Sequence, residues 1–272
     1  MHPPNQHHAW LPAVERIARE AGALLMTGFG RGIAIELKGA IDLVTDMDRR
    51  SEELVVGRLT GEFPGTTVLA EEGSRGDDAG SGLWIVDPLD GTTNYAHGFP
   101  VFAVSIGLER AGVMELGVVF DPTRWECFAA GRGRGATLNG EPIGVSSRDD
   151  IGASLLATGF PYDIRTSPQN NLAEFNRFAL RARAIRRAGA AALDLCYVAA
   201  GRFDGYWEQK LAPWDVAAGS LIVTEAGGMV SGYSGEPPVV RSGRLVASNG
   251  RIHAAMLACL AESPSDQGPT GR

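Results

Sequence analysis

Four acids in this chain stand where an apolar run ends or a helix-like pattern begins: Glu71, Asp87, Asp90 and Asp215. The densest stretch is Trp84-Ile85-Val86-Asp87-Pro88-Leu89-Asp90-Gly91-Thr92-Thr93-Asn94, a buried-looking strand that breaks at Pro88 and runs on into two carboxylates and a Gly-Thr-Thr turn. Carboxylates forced together repel strongly unless cations neutralise them, and oxygen-only donors suit Mg²⁺. Two such ions about 4 Å apart can bind the attacking and leaving oxygens of an in-line phosphoryl displacement. The chemistry implied is metal-dependent hydrolysis. Thr92 is placed to hold the attacking water, with Asp48 or Glu72 to accept its proton. Leu89 has only its backbone carbonyl to offer a cation. Amides in the turn after Asp90 would receive phosphate oxygens. Each of these residues also has a structural reading. Thr45, Asp46 and Asp48 suit a helix start, Asp215 suits the first turn after Pro213, and Glu71-Glu72-Gly73 suits a solvated turn.

The elements that must position these groups follow from periodicity. Leu11, Val14, Ile17, Ala18, Ala21, Leu24 and Leu25 keep helical spacing up to Gly28 and Gly30, and Ile33, Ile35 and Leu37 alternate as in a short strand. Met47, Leu54, Val55 and Leu59 form the inner face of a second helix. Thr66–Ala70 and Leu83–Val86 read as strands separated by a polar loop, Gly73–Gly82. Two hairpins follow, 101–119 and 126–138; the second turns on Gly131-Arg132-Gly133-Arg134-Gly135, a run suited to a turn and also to cradling a phosphate. Asn139-Gly140 is a further turn signal. Beyond residue 150 the pattern alternates: strand 154–159, helix 172–184, a helix after Ala188-Gly189-Ala190-Ala191, strand 203–207 with Glu208 at its end, helix 213–226, strands at Val230 and 245–247, and a last helix 252–260. Helices and an antiparallel sheet first, then a smaller α/β half, indicate an α+β architecture. One catalytic domain is expected over residues 9–262, with halves at about 9–150 and 151–262 and flexible ends at 1–8 and 263–272.

Composition narrows the class. The chain has 272 residues, 44% of them hydrophobic, and a formal net charge of −7. A sizeable core is available, and an acidic chain is a poor general binder of nucleic acid or of membrane surfaces. Cys127, Cys196 and Cys259 are odd in number, scattered and in apolar contexts, as expected of reduced thiols. No apolar run reaches about eighteen residues, and the His- and Pro-containing start lacks a signal-peptide layout. A cytoplasmic enzyme without a membrane span is expected.

Four blocks carry a family resemblance: Asp42-Leu43-Val44-Thr45-Asp46-Met47-Asp48, Ala70-Glu71-Glu72, Trp84 to Asn94, and Trp214-Asp215-Val216-Ala217-Ala218-Gly219. In this order, and spread over residues 10 to 260, they make the chain resemble the inositol monophosphatase family of Mg²⁺-dependent, lithium-sensitive phosphatases. The resemblance implies a layered αβαβα sandwich, usually a homodimer. It implies Glu71, Asp87 and the Leu89 carbonyl on a first metal, Asp87, Asp90 and Asp215 on a second, and a third, weaker ion reached through water from Glu71, so two to three Mg²⁺ ions with Li⁺ as inhibitor. Thr92, hydrogen-bonded to Asp48, would orient the water, and Gly91, Thr92 and Thr93 would hold the phosphate. Lys38 matches a lysine of the family's metal-site loop. On the substrate side the matching positions are Gly189, Ala190, Ala191 and Glu208, with Glu208 and Asp90 on ring hydroxyls. Ala190 departs from the Ser or Thr often found there and removes one hydroxyl contact. The expected reaction is hydrolysis of a small phosphorylated substrate, myo-inositol 1-phosphate first. Histidinol phosphate, a sugar phosphate or a nucleotide 3′-phosphate would use the same chemistry, and a catalytically idle regulatory binding protein is the non-enzymatic alternative.

Overall fold

The computed structural model describes residues 6–31, 35–37, 43–73, 81–237 and 240–262. A 3₁₀ turn at Gln6–Trp10 leads into α1 (Leu11–Gly28), with Pro12 in the first turn, where its missing amide leaves no bond unmade. Of the expected flexible start at 1–8, residues 6–8 belong to the 3₁₀ turn, with the ring of His8 against Gly131, and the rest lie outside the described residues. β1 (Ile35–Leu37) pairs antiparallel with β2 (Leu43–Thr45), the latter a strand that three apolar or β-branched residues are too few to announce. α2 (Asp46–Glu62) starts at once, capped by Thr45.

Seven strands then form one sheet in chain order: β3 (Thr67–Ala70), β4 (Leu83–Asp90), β5 (Ala103–Arg110), β6 (Val113–Asp121), β7 (Glu126–Gly131), β8 (Ala136–Leu138) and β9 (Glu141–Ile143). Every pairing is antiparallel except β3 with β4. A short helix, α3 (Thr92–Ala96), follows β4. The second sheet has order β11 (Ala184–Arg186), β10 (Leu155–Thr158), β12 (Gly205–Gln209), β14 (Arg244–Ser248) and β13 (Met229–Ser231). Its helices are α4 (Leu172–Ala179), α5 (Ala191–Ala199), α6 (Pro213–Glu225) and α7 (His253–Ala261).

Packing stacks these into five layers. α1 and α2 bury Val14, Ile17, Leu25, Val55 and Leu59 against Trp84, Val86, Ile106 and Phe120 of the large sheet. α5 and α6 fill the space between the sheets, their Leu193, Leu195, Val216 and Ile222 meeting Val119 and Phe128 on one side and Tyr206 and Ala247 on the other. α4 and α7 close the outer face through Phe178, Met256 and Leu260 against Trp207 and Val246. The αβαβα expectation holds. The two halves are not side by side, since α6 from the second lies directly on the first half's sheet: a Cβ on Gly117 would stand 2.7 Å from the Ala218 carbonyl. Only a glycine lets the helix sit this close.

Three expected boundaries are corrected. The helix begun at Leu172 ends at Ala179, and residues 184–186 are instead an edge strand, parallel to β10. Arg181-Ala182-Arg183 turn the chain from that helix into the strand. Pro88 does not end its strand either: β4 continues to Asp90, with the register shifted between Asp87 and Asp90. Glu208 lies inside β12, one residue short of its end. The Gly131–Gly135 run holds an anion from its own chain, the Glu225 carboxylate, which accepts the amides of Gly133, Arg134 and Gly135 at 2.8–3.0 Å. All three cysteines are buried and free, and no helix among the described residues is long and apolar enough to cross a membrane. The expected Gly73–Gly82 loop (largely) and the ending at 263–272 lie outside the described residues.

Candidate active site

The position of the acids follows from strand parity. Side chains alternate across a strand, and on β4 the residues Trp84 and Val86 face α1 and α2 while Leu83 and Ile85 face Ala217 of α6. Asp87 therefore continues the α6 face. β3 runs parallel to β4 with Ala70 opposite Val86, so the next residue, Glu71, leaves the sheet beside Asp87. Unbroken alternation would send Asp90 to the opposite face. Asp87 pairs with Ser105 and Asp90 with Ala103, three steps against two, and this one-residue bulge reverses the parity. Leu89 consequently packs into the α1–α2 core, and Asp90 turns towards α5. Proline suits the bulge because it has no ladder amide to leave unpaired, and the Pro88 carbonyl accepts the Ser51 hydroxyl at 2.8 Å. Gly91 completes the turn at φ +90, where a Cβ would meet the Val101 carbonyl at 2.9 Å and the Gly189 carbonyl at 3.2 Å.

Asp215 arrives from the other side. Pro213 opens α6, and Asp215 in its first turn accepts the Ala212 amide at 2.7 Å. Asp48 likewise serves two ends at once. One carboxylate oxygen accepts the Thr45 amide at 2.8 Å and the Thr45 hydroxyl, completing a capping box, and the other accepts the Thr92 hydroxyl at 2.9 Å. The capping and the functional readings of Asp48 are both satisfied by one buried side chain. Glu72, the other candidate base, is not among the cavity's lining residues, and its backbone amide is held by Glu52 at 2.7 Å. Lys38 lies outside the described residues.

These residues surround a cavity of about 440 Å³, lined by Glu71, Asp87, Leu89, Asp90, Gly91, Thr92, Thr93 and Asp215 on one side and by Gly189, Ala190, Ala191 and Glu208 on the other. Its electrostatics are those of crowded acids. Burial, then the charges of Glu71, Asp90 and Asp215, push the Asp87 carboxyl well above the ordinary carboxylate range. Asp90 rises to about 7, chiefly by burial, although the amides of Ala192 and Ala191 at 2.8 and 3.2 Å favour its charged form. The start of α5 is thus occupied: its first amides are taken by Asp90, and Gly189 to Ala191 shape the cavity wall through their small size. Glu208 also stands at about 7, raised by burial against the opposing effects of the Tyr206 hydroxyl and of Arg187.

Sequence reasoning passed over three neighbours. Asn94 donates to the carbonyls of Val101 and Ala188, both at 2.8 Å, tying α3 to the entry of α5. Arg187 lines the cavity as a cation facing Glu208. Asp194 is buried one turn into α5, its carboxyl raised by burial and by Glu208 and Asp90, with Oδ1 unbonded. The signal for Asp194 was an acid amid Ala-Ala-Leu-x-Leu, an apolar face that has no ordinary use for one.

Carboxylate and carbonyl oxygens, with no His or Cys lining the cavity among the described residues, match a hard divalent cation. Among the described residues no three of these side chains converge on one point, and the fit rests on donor chemistry and on the raised carboxyls, which a cation would relieve. The model of the inositol monophosphatase family matches residues 7–265. The chain belongs to this family of phosphatases. It is 43% identical over 263 residues, 96% of this chain and 92% of the relative, to the inositol-1-monophosphatase of Synechocystis. It is 45% identical over 249 residues, 89% and 92% of the two chains, to the protein named Nus factor SuhB of Pseudomonas aeruginosa. The solved inositol monophosphatase of Anabaena (Nostoc) superposes with a TM-score of 0.87 at 42% identity, covering 96% of this chain and 98% of that one. Membership of the inositol monophosphatase family accords with the four blocks read from sequence and with the five-layer fold.

Proposed function

We propose that the chain is a Mg²⁺-dependent phosphomonoesterase that hydrolyses inositol monophosphate by direct attack of water. The observation that carries this reading is the Thr92–Asp48 hydrogen bond at the edge of a cavity rimmed by Glu71, Asp87, Asp90 and Asp215. Those four carboxylates and the Leu89 carbonyl would hold two to three Mg²⁺ ions, which when bound supply positive charge to the phosphate oxygens and make water more acidic. The Thr92 hydroxyl has two acceptors, Asp48 Oδ1 at 2.9 Å and the Leu89 carbonyl at 3.1 Å; donating to the nearer, charged Asp48 leaves the Thr92 oxygen to accept a hydrogen bond from the attacking water and orient its lone pair at phosphorus. Water forms the new P–O bond as the ester P–O bond breaks on the opposite side, and the leaving ester oxygen takes a proton from solvent to become the alcohol. The water's proton passes by way of Thr92 Oγ1 to Asp48. Gly91, Thr92 and Thr93 open α3, and first-turn amides have no intrahelical acceptor, which suits them to phosphate oxygens. Glu208 and Asp90 face the substrate's hydroxyls. Residues 9–262 act as one catalytic domain, a homodimer in the cytoplasm, with Li⁺ competing for the metal site.

Released phosphate tests this directly. Asp90→Asn should abolish Mg²⁺-dependent turnover of myo-inositol 1-phosphate while the melting transition survives; near-parental turnover would refute the site. A panel with histidinol phosphate, sugar phosphates and nucleotide 3′-phosphates separates the substrate alternatives. A second role beside catalysis is favoured by the relatives named Nus factor SuhB. An Asp90→Asn protein that still supports that role in cells would separate it from hydrolysis.

A further inference from the structure

Tyr206 and Glu208 are two residues apart on β12 and so share a face. Between them, Trp207 points the other way and stacks on Phe178 with ring centroids 4.0 Å apart, which locks the strand's rotation. Tyr206 is completely buried, and its hydroxyl donates to Glu208 Oε2 at 2.6 Å. β10 lies alongside in parallel register, Thr158 opposite Trp207, which sets Gly159 next to Glu208. A Cβ built on Gly159 falls on top of the Glu208 carboxylate. Gly159 is not one of the glycines with positive φ, so its backbone conformation is open to any residue. What the missing side chain provides is a seat.

We propose that Tyr206 and Gly159 are positioning residues that hold the Glu208 carboxylate in one orientation and thereby set the enzyme's preference for hydroxyl-bearing substrates. This rests on the reading of Glu208 as the contact to substrate hydroxyls. With Oε2 engaged by Tyr206, Oε1 is the oxygen left to accept from a ligand in the cavity that Glu208 lines. A glutamate on a flexible stem would have to be immobilised at each binding event; a clamped one is already ordered. Arg187 is the cation facing this carboxylate, and Asp90 and Asp194 are the acids nearby. Their opposing charges leave the short bond from Tyr206 as the contact that decides direction.

Tyr206→Phe removes one oxygen and keeps the buried ring; Gly159→Ala fills the seat with a methyl group. The readout is the ratio of kcat/KM for myo-inositol 1-phosphate to that for phenyl phosphate, which carries no hydroxyl for Glu208 to read, with melting curves recorded for every variant. Both substitutions should lower that ratio about tenfold, mainly through KM for the inositol ester, as loss of a hydrogen bond to a charged group does. Introduced into Glu208→Gln, neither should lower it further. If Glu208→Gln lowers the ratio and the two positioning variants do not, the positioning role is overturned and the reading of Glu208 stands. If Glu208→Gln leaves the ratio unchanged, that reading fails and takes this inference with it. Equal losses on both substrates would mean general damage and would also overturn it.

Discussion

Thr92→Val is the substitution that separates the catalytic arrangement from the scaffold. Valine keeps the shape of threonine and deletes one hydroxyl, which now donates to Asp48 Oδ1 at 2.9 Å with both side chains buried. The other Asp48 oxygen keeps its two Thr45 donors, so the cap of α2 survives. A buried hydrogen bond to a charged acceptor is worth about 1.5–3 kcal/mol, and that is the expected loss of stability. A domain with roughly 5–15 kcal/mol to lose stays folded after it. Turnover should fall much further, by about 10²–10⁴, because the group that orients the water and relays its proton is gone. Phosphate release at saturating Mg²⁺ measures the rate, and urea denaturation measures the stability. Thr92→Ser, which keeps the hydroxyl, should recover most of the activity. A Thr92→Val protein turning over within about threefold of the parent would refute the role of Thr92, whatever its stability.

Two predictions concern pH. His253 Nε2 and Nδ1 lie 2.8 and 2.9 Å from the hydroxyls of Ser231 and Ser248; Ser231 donates to the Gly232 carbonyl and Ser248 accepts the Gly250 amide, a set of contacts that a neutral ring with its proton on Nε2 satisfies. Burial lowers the His253 pKa, so its contribution is present above the ordinary imidazole value of about 6.5 and is lost as pH falls below it; stability should decline there in the parent, and a His253→Gln variant showing the same decline would refute this. Asp90 at about 7, and Asp87 raised beside it, bind protons that Mg²⁺ must displace, so Mg²⁺ affinity by calorimetry should rise with pH through about 7, and an affinity flat between about pH 6 and 8 would contradict it.

Local chemistry was legible wherever one residue type dictated it. The β5–β6 hairpin, the Asn139-Gly140 turn and the Pro213 start of α6 all appear as read. Failures came where a distant partner outvoted a local preference. The helical pattern runs on to Ala184, yet the helix stops at Ala179 and β10 offers Ala184–Arg186 a strand to pair with. The Gly/Arg turn carried a phosphate-binding look because its amides do bind an anion, and which anion depends on where α6 brings Glu225. Tyr206 was invisible as a site residue because burial beside Glu208, not its own sequence neighbours, makes it matter.

The acids and their order in the chain are properties of the sequence: carboxylates at strand ends, Thr92 two residues past Asp90, Asp48 in a helix cap. Composition and spacing alone implied oxygen ligation and phosphoryl chemistry, since ligand type follows from residue type. Which face each acid occupies was decided by the tertiary structure. The parallel register of β3 and β4 brings Glu71 beside Asp87, the bulge at Pro88 turns Asp90 to the same side, and the close seat of α6 on Gly117 delivers Asp215 from more than a hundred residues away. Parity across a strand flips with one residue and helix docking depends on backbone clearance. Both are set by pairing and packing between elements, which no local window of sequence contains.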